Sequence, residues 1–148
     1  MTRLRRFLSL SAEEKVLLFE ATFLLTSTRI ALALLPFQNV RRFLSYLARS
    51  KNNVQPQTSD VDRIVWATKA AVRRLPGIGT CLTQALAAHV LLGRIGCETN
   101  LRIGVTRDDA GEFVAHAWLE KDERIIIGEL GEELNRYTPF PALKGLER

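Results

Sequence analysis

The spacing of apolar residues divides the chain into two parts. Up to residue 95, apolar positions recur every three or four residues, which is typical of amphipathic helices. From residue 100 the character changes, and residues 100–106 alternate between apolar and polar positions, which is typical of a strand with one buried face. Helices followed by an antiparallel meander predict an α+β fold.

Identifiable start and stop signals bound the predicted helices. Ser11 and Glu14 form a capping box, and Pro36 ends the helix that this box opens. Pro76 and Gly77 end a later helix. Gly96 is positioned to cap the C-terminus of the helix richest in alanine and leucine. The predicted helices cover about residues 11–35, 39–49, 59–75 and 81–95.

The region from residue 100 to residue 127 predicts three strands joined by short turns. The strands cover about residues 100–106, 113–121 and 124–127. The sequence RDDAG (107–111) and the pair Asp122-Glu123 are typical of turns.

A polar stretch, KNNVQPQT, separates the first two helices from the rest. Its single proline and lack of periodicity are typical of a linker. We therefore predict an N-terminal helical region (1–50), a linker (51–58) and a core domain (59–148).

Positive charge is concentrated at the N-terminal end. Residues 1–55 contain nine Lys/Arg against three Asp/Glu, a net charge of +6, although the whole chain carries only +5. This surface is either simply solvated or suited to acidic peptides or anionic lipid, so membrane-surface association is one possible partner interaction. Nucleic-acid binding would rest on charge alone and is not predicted.

The stretch from Val16 to Leu35 is long enough to cross a bilayer. It contains Glu20 and Arg29, however, and a charge near the centre of a spanning helix costs about 2.5–3.5 kcal/mol. We therefore predict a packed amphipathic helix there.

The two cysteines are predicted to be free thiols. Cys81 and Cys97 fall at opposite ends of a predicted helix, about 20–24 Å apart, whereas a disulfide needs Cα atoms within about 7 Å. The basic start of the chain lacks the uninterrupted apolar run of a signal peptide. A cytoplasmic, reducing location follows as an expectation.

Cys81 is the candidate nucleophile. It lies in the predicted first turn of a helix, where unpaired N–H groups and the helix dipole favour an anion such as a thiolate. Gly77 and Gly79 precede it and leave room for a substrate backbone. The alternative is a small buried core residue, which free cysteines often are.

His116 is the candidate general base. It lies on a predicted strand with Val114 and Trp118 on the same face and small alanines on the other, which allow close packing against a helix. A histidine beside tryptophan is also compatible with a structural role. A Cys–His pair requires the imidazole within hydrogen-bond reach of the sulfur.

A third group is expected to orient this histidine, and the candidates are Asp122 and Glu129. If the hairpin turn is centred on residues 122 and 123, His116 and Glu129 lie opposite each other, with side chains about 4.5–5.5 Å apart. Asp122 falls in the turn itself. We therefore predict Glu129 as the acid.

The remaining histidine and cysteine do not suggest a second base or a metal site. His89 lies eight residues beyond Cys81 on one helix, which places it about 12 Å away along the axis. The Cys and His residues lack the close pairwise spacing of zinc ligands, and no glycine-rich phosphate loop is present. No cofactor and no metal are predicted.

A series of motifs resembles the transglutaminase-like leader peptidases of lasso-peptide biosynthesis. The resemblance covers nearly the whole chain, and its order and spacing are more specific than any single motif. The motifs are LLPF (34–37) with RR (41–42), CLTQALA (81–87), LLGRIG (91–96), LRIGV (101–105), AHAWLE (115–120), IGE (127–129) and RYTPF (136–140).

The resemblance implies a papain-like and transglutaminase-like core in which Cys81 matches the nucleophile and His116 the base. The family's third residue is usually Asp after the glycine, whereas this chain has Glu129. The implied activity is that of a cysteine protease that removes the leader from a precursor peptide. The implied partners are a separate leader-recognition protein and an asparagine-synthetase-like cyclase that uses ATP.

Two other functions remain open at this point. A catalytically silent peptide-binding scaffold would fit the departure at Glu129. An acyl transferase would use the same three residues with an amine in place of water.

Overall fold

A computed structural model describes residues 3–50 and 54–141 of the chain. Within these residues, five α-helices precede a four-stranded sheet, which confirms the predicted α+β class. The helices are α1 (Arg3–Leu8), α2 (Ala12–Leu34), α3 (Phe37–Leu47), α4 (Thr58–Val72) and α5 (Cys81–Arg94); the strands are β1 (Asn100–Arg107), β2 (Phe113–Lys121), β3 (Arg124–Ile127) and β4 (Thr138–Pro139), with a 3₁₀ helix (Gly131–Arg136) before β4.

The predicted capping box opens α2. The Ser11 hydroxyl accepts a hydrogen bond from the Glu14 N–H at 3.1 Å, and the Ser11 N–H donates to the Glu14 carboxylate at 2.8 Å. The helix ends before Pro36, as predicted, but α3 begins at Phe37, two residues earlier than expected. Proline fits the residue before a helix because the N–H that it lacks would have no partner within the helix there.

Helices α2, α4 and α5 share one hydrophobic core with the sheet. The helix α5 is buried along most of its length, and its alanines let neighbouring elements pack closely. On α2, Leu18, Ala21 and Leu25 face this core. The division of the chain at the linker stays a prediction: residues 51–53 lie outside the described residues, and α2 packs directly against α4 and α5.

The helix α2 is long and apolar enough to cross a membrane by length and composition, and it is the one described helix that is. Core helices of soluble proteins and signal sequences have the same properties, so this is weak evidence. One side of α2 contributes to the core, as predicted for a packed helix.

The sheet has the order β3-β2-β1-β4, and all its strand pairs are antiparallel. The long pair β1–β2 forms its centre, with Gly104 opposite His116. The edge strand β4 was not predicted. Its two residues, Thr138 and Pro139, are too few for an alternating pattern to be visible in the sequence.

The predicted register of the β2–β3 hairpin is wrong beyond its first residues. Asp122 and Glu123 form the turn, both with positive φ (49° and 63°), and Lys121 pairs with Arg124 as expected. The pairing then shifts by one residue, so that Leu119 lies opposite Ile127. A bulge of this kind moves every later residue relative to its partner strand. Glu129 is therefore not opposite His116, and β3 ends two residues before it.

His89 provides a pH-dependent contribution to stability. Its imidazole is buried in α5 and its Nδ1 lies 2.7 Å from the Thr99 hydroxyl. Burial lowers the pKa of His89 below its ordinary value of 6.5, because the charged imidazolium is poorly solvated there. The unfolded chain then binds the proton more readily, so His89 favours the folded state above pH 6.5 and this contribution is lost as the pH falls below 6.5.

We expect the free energy of unfolding to fall between pH 7.5 and pH 5 more steeply in the wild type than in His89→Gln. One proton corresponds to at most about 1.4 kcal/mol per pH unit. Urea unfolding followed by circular dichroism at several pH values measures the difference, and parallel curves for the two proteins would contradict it.

Candidate active site

Cys81 is the first residue of α5, as predicted. The preceding Thr80 caps the helix, and its hydroxyl accepts a hydrogen bond from the Thr83 N–H at 3.3 Å. The N–H groups of Cys81 and Leu82, at the start of the helix, have no acceptor within it. The Cys81 side chain is partly exposed and packs at the margin of the hydrophobic core. The site can therefore present a thiolate and N–H donors together.

Two side chains of the first turn of α5 hold the loop before Cys81. The Thr83 hydroxyl donates to the Ile78 carbonyl at 2.9 Å, and the Gln84 amide donates to the Gly79 carbonyl at 2.8 Å. No motif in the sequence indicates these contacts. They fix the path of the loop that approaches the thiol, so the position of Cys81 does not depend on its own packing alone.

His116 lies on β2 with its ring orientation defined by a backbone carbonyl. Its Nε2 is 2.8 Å from the Gly128 carbonyl oxygen. A carbonyl oxygen only accepts hydrogen bonds, so Nε2 carries a proton and the neutral imidazole has its lone pair on Nδ1. Nδ1 has no hydrogen-bond partner within residues 3–50 and 54–141, which leaves it available to accept a proton.

Two aromatic rings hold the imidazole. Trp118 stacks with it at 6.2 Å between centroids and 16° between planes, and Tyr137 lies 5.6 Å away at 51°. The Trp118 indole donates to one oxygen of Glu120 at 2.8 Å, and Arg102 pairs with the other at 3.2 Å. The alternation along β2 placed His116 and Trp118 together, whereas the position of Tyr137 depends on the unpredicted β4.

Both the backbone conformation at position 128 and the atoms around it require glycine. Its φ is +85°, a conformation that side-chain-bearing residues rarely adopt. A Cβ atom there would lie 2.7 Å from the Ala117 carbonyl oxygen and 3.0 Å from the Trp118 Cα. Glycine therefore allows the chain leaving β3 to run close against β2, where its carbonyl reaches His116.

Glu129 is not in contact with the histidine in this structure. Its side chain is exposed, and Oε2 lies 3.9 Å from the Lys69 ammonium on α4. Asp122, the other candidate, is exposed in the hairpin turn and pairs with Lys121. Among the described residues, the Gly128 carbonyl occupies the place expected for a carboxylate, and an orienting role for Glu129 stays a prediction.

The structure places Cys81 and His116 on elements that pack together, since α5 lies against β2. Ala117 and Leu119 face the shared core, and His116 and Trp118 lie on the alternate side of the strand. No hydrogen bond joins the Cys81 sulfur to the imidazole in the described part of the chain. The pairing of the two residues therefore stays a prediction.

The remaining cysteine and histidine do not belong to the site. Cys97 is 3% exposed, and the imidazole of His89 forms a hydrogen bond with the Thr99 hydroxyl. Residues 3–50 and 54–141 contain no group of three His, Cys, Asp or Glu side chains that could hold a metal ion.

The two thiols are expected to differ in reactivity. Burial raises the pKa of the Cys97 thiol because it disfavours the thiolate, whereas Cys81 is partly exposed at a helix N-terminus. We expect iodoacetamide near neutral pH to label Cys81 at least about tenfold faster than Cys97. Peptide mass spectrometry over a time course measures both rates, and equal slow labelling would argue against a reactive Cys81.

Comparison with known proteins identifies the family of the chain. The family described as the transglutaminase-like superfamily matches residues 24–142, from within α2 to beyond β4. No curated protein and no solved structure matches the chain. The match covers most of the chain, including the helix with Cys81 and the strand with His116. The chain therefore belongs to the transglutaminase-like superfamily, whose members are commonly cysteine-dependent enzymes and include cysteine peptidases and acyltransferases.

Proposed function

We propose that the protein is a cysteine peptidase that removes the leader from a ribosomally synthesised, lasso-type precursor peptide. The observation that carries the enzymatic part is the partly exposed Cys81 at the N-terminus of α5, a helix that packs against the strand whose His116 has a defined tautomer. The leader-peptidase part is supported by the resemblance of motifs such as CLTQALA and AHAWLE.

The proposed reaction begins with transfer of the thiol proton of Cys81 to Nδ1 of His116. The thiolate attacks the scissile carbonyl, and N–H groups of the first turn of α5 stabilise the resulting oxyanion. The tetrahedral intermediate collapses, and the imidazolium gives its proton to the leaving amine. Water, deprotonated by His116, then hydrolyses the thioester and restores the thiol.

The Gly128 carbonyl supports this sequence of steps because it keeps the proton on Nε2. The imidazolium that forms in the first step would still donate to this carbonyl. In this proposal Glu129 can act as the acid of the triad only if its carboxylate leaves Lys69. That ion pair is long and exposed, so breaking it costs little free energy.

The proposed partners follow from the chemistry of leader removal. The substrate is the precursor peptide, and we propose that a separate leader-recognition protein presents it to this enzyme. An ATP-dependent, asparagine-synthetase-like cyclase would act on the released core peptide. We propose a cytoplasmic location, where both thiols stay reduced.

The test is incubation of the purified protein with candidate precursor peptides, with and without a leader-recognition protein, followed by mass measurement of the products. Hydrolysis at one peptide bond gives two fragments whose masses sum to that of the precursor plus one water. A product that has gained an added amine instead of water identifies an acyl transferase. Peptide binding without any product identifies a silent scaffold and would refute the proposal.

A further inference from the structure

The exposed large apolar side chains of the described residues are concentrated on the N-terminal helices. Ten of the fourteen lie before residue 50. Five of these share the outer side of α2 at spacings of three, four, seven and four residues: Val16, Phe19, Phe23, Ile30 and Leu34. This outer stripe extends about 27 Å along the helix.

Helix α3 widens the stripe into a surface. Phe19 and Phe23 of α2 and Phe43 of α3 line a groove of about 590 Å³ between the two helices, and each is more than 60% exposed. Tyr46, one turn beyond Phe43, is 66% exposed. Aromatic side chains exposed to this extent on adjoining helices are unusual on a surface that only contacts water.

The same part of the chain carries the excess positive charge. Residues 1–55 contain nine Lys/Arg and three Asp/Glu, and residues 36–50 contain three arginines and no acidic residue. Arg42 is exposed on α3, and the groove itself is lined by one cation, Arg94, and one carboxylate, Glu20, so the excess positive charge lies around the groove and not within it. Apolar side chains flanked by cationic ones match the interface of an anionic bilayer, in which acyl chains lie beneath negative headgroups.

The buried side of α2 restricts how this helix can bind a bilayer. Leu18, Ala21 and Leu25 are buried in the core shared with α4 and α5, and a spanning α2 would have to leave that core. We propose that the outer stripe of α2, with Phe43 and Tyr46 of α3, binds the surface of an anionic lipid bilayer. Val16, Ile30 and Leu34 are exposed on α2 but do not line the groove, which favours a surface over a short peptide bound in the groove. The proposal is independent of the peptidase activity.

The first experiment is co-sedimentation of the full chain with phosphatidylcholine vesicles that contain or lack phosphatidylglycerol. We expect the protein to sediment with the anionic vesicles at low salt. We expect weaker binding to neutral vesicles and at high salt, because salt screens the headgroup attraction. A protein that stays in the supernatant with both kinds of vesicle would overturn the proposal.

Paired charge-matched variants test the location of the surface. Phe19→Glu/Phe23→Glu is expected to weaken binding to anionic vesicles by roughly tenfold or more. The control is Val54→Glu/Phe113→Glu, which makes the same change in net charge at positions of 71% and 70% exposure away from the stripe. It is expected to keep most of the binding, and circular dichroism verifies that both variants are folded.

Two results would contradict the assignment. An equal loss in both double variants would mean that net charge alone determines binding. Concentration-dependent self-association in analytical ultracentrifugation, removed by Phe19→Glu/Phe23→Glu and accompanied by no vesicle binding, would assign the surface to a second copy of the chain.

Discussion

Cys81→Ala is expected to reduce hydrolysis of a precursor peptide by at least about 10³-fold, because no other described side chain can replace the attacking sulfur. The second cysteine is buried, and water attacking without a thiolate would keep only the stabilisation that the N–H groups of α5 give the oxyanion. The measurement is the single-turnover rate of product formation, followed by mass spectrometry.

The fold of this variant is expected to remain intact. Cys81 is partly exposed and lies in the first turn of α5, where alanine has a high helix propensity. Circular dichroism and the unfolding temperature check this point. The matched control is Cys97→Ala, which removes a thiol from the core and is expected to retain activity. A folded Cys81→Ala protein with unchanged cleavage would refute the proposed mechanism.

His116→Ala is expected to lower the rate of cleavage by about 10²–10⁴-fold, the usual contribution of general acid–base catalysis. The substitution removes both the proton acceptor Nδ1 and the ring held by Trp118 and Tyr137. The thiolate would form less readily and the leaving amine would lose its proton donor. The rate is measured under the same single-turnover conditions, and retention of more than about a tenth of the activity would rule out His116 as the base.

Two further variants identify the group that orients His116. Gly128→Ala is expected to lower the rate strongly, because its Cβ would be forced against the Ala117 carbonyl and the Gly128 carbonyl would move from Nε2. Glu129→Gln removes the carboxylate charge with little change in shape. If Glu129 is the acid of the triad, its loss would cost as much as about 10⁴-fold, the effect of the equivalent change in serine proteases.

Lys69→Met is the matched control for this comparison, since it removes the partner of Glu129 without altering the carboxylate. The ion pair is exposed on both sides, so its loss is expected to change stability by at most about 1 kcal/mol. A small effect of both Glu129→Gln and Lys69→Met, beside a large effect of Gly128→Ala, would assign the orienting role to the backbone carbonyl.

The amino-acid sequence by itself determined most of the secondary structure and the placement of the two central residues. Local rules are sufficient where the signal is local: the Ser11 capping box, the break at Pro36 and the start of α5 at Cys81 depend on neighbouring residues only. The two-residue repeat of a β-strand likewise placed His116 and Trp118 on one side of β2.

Only the tertiary structure decided which groups surround the histidine. A bulge after the hairpin turn shifts the register by one residue, and no local pattern in the sequence marks it. The sequence therefore predicted Glu129 opposite His116, whereas in the structure its side chain lies beside Lys69. The contacts of Tyr137 and the Gly128 carbonyl depend on segments brought together from distant parts of the chain. Such contacts depend on the packing of whole elements, whereas helix caps and strand alternation depend on residues a few positions apart.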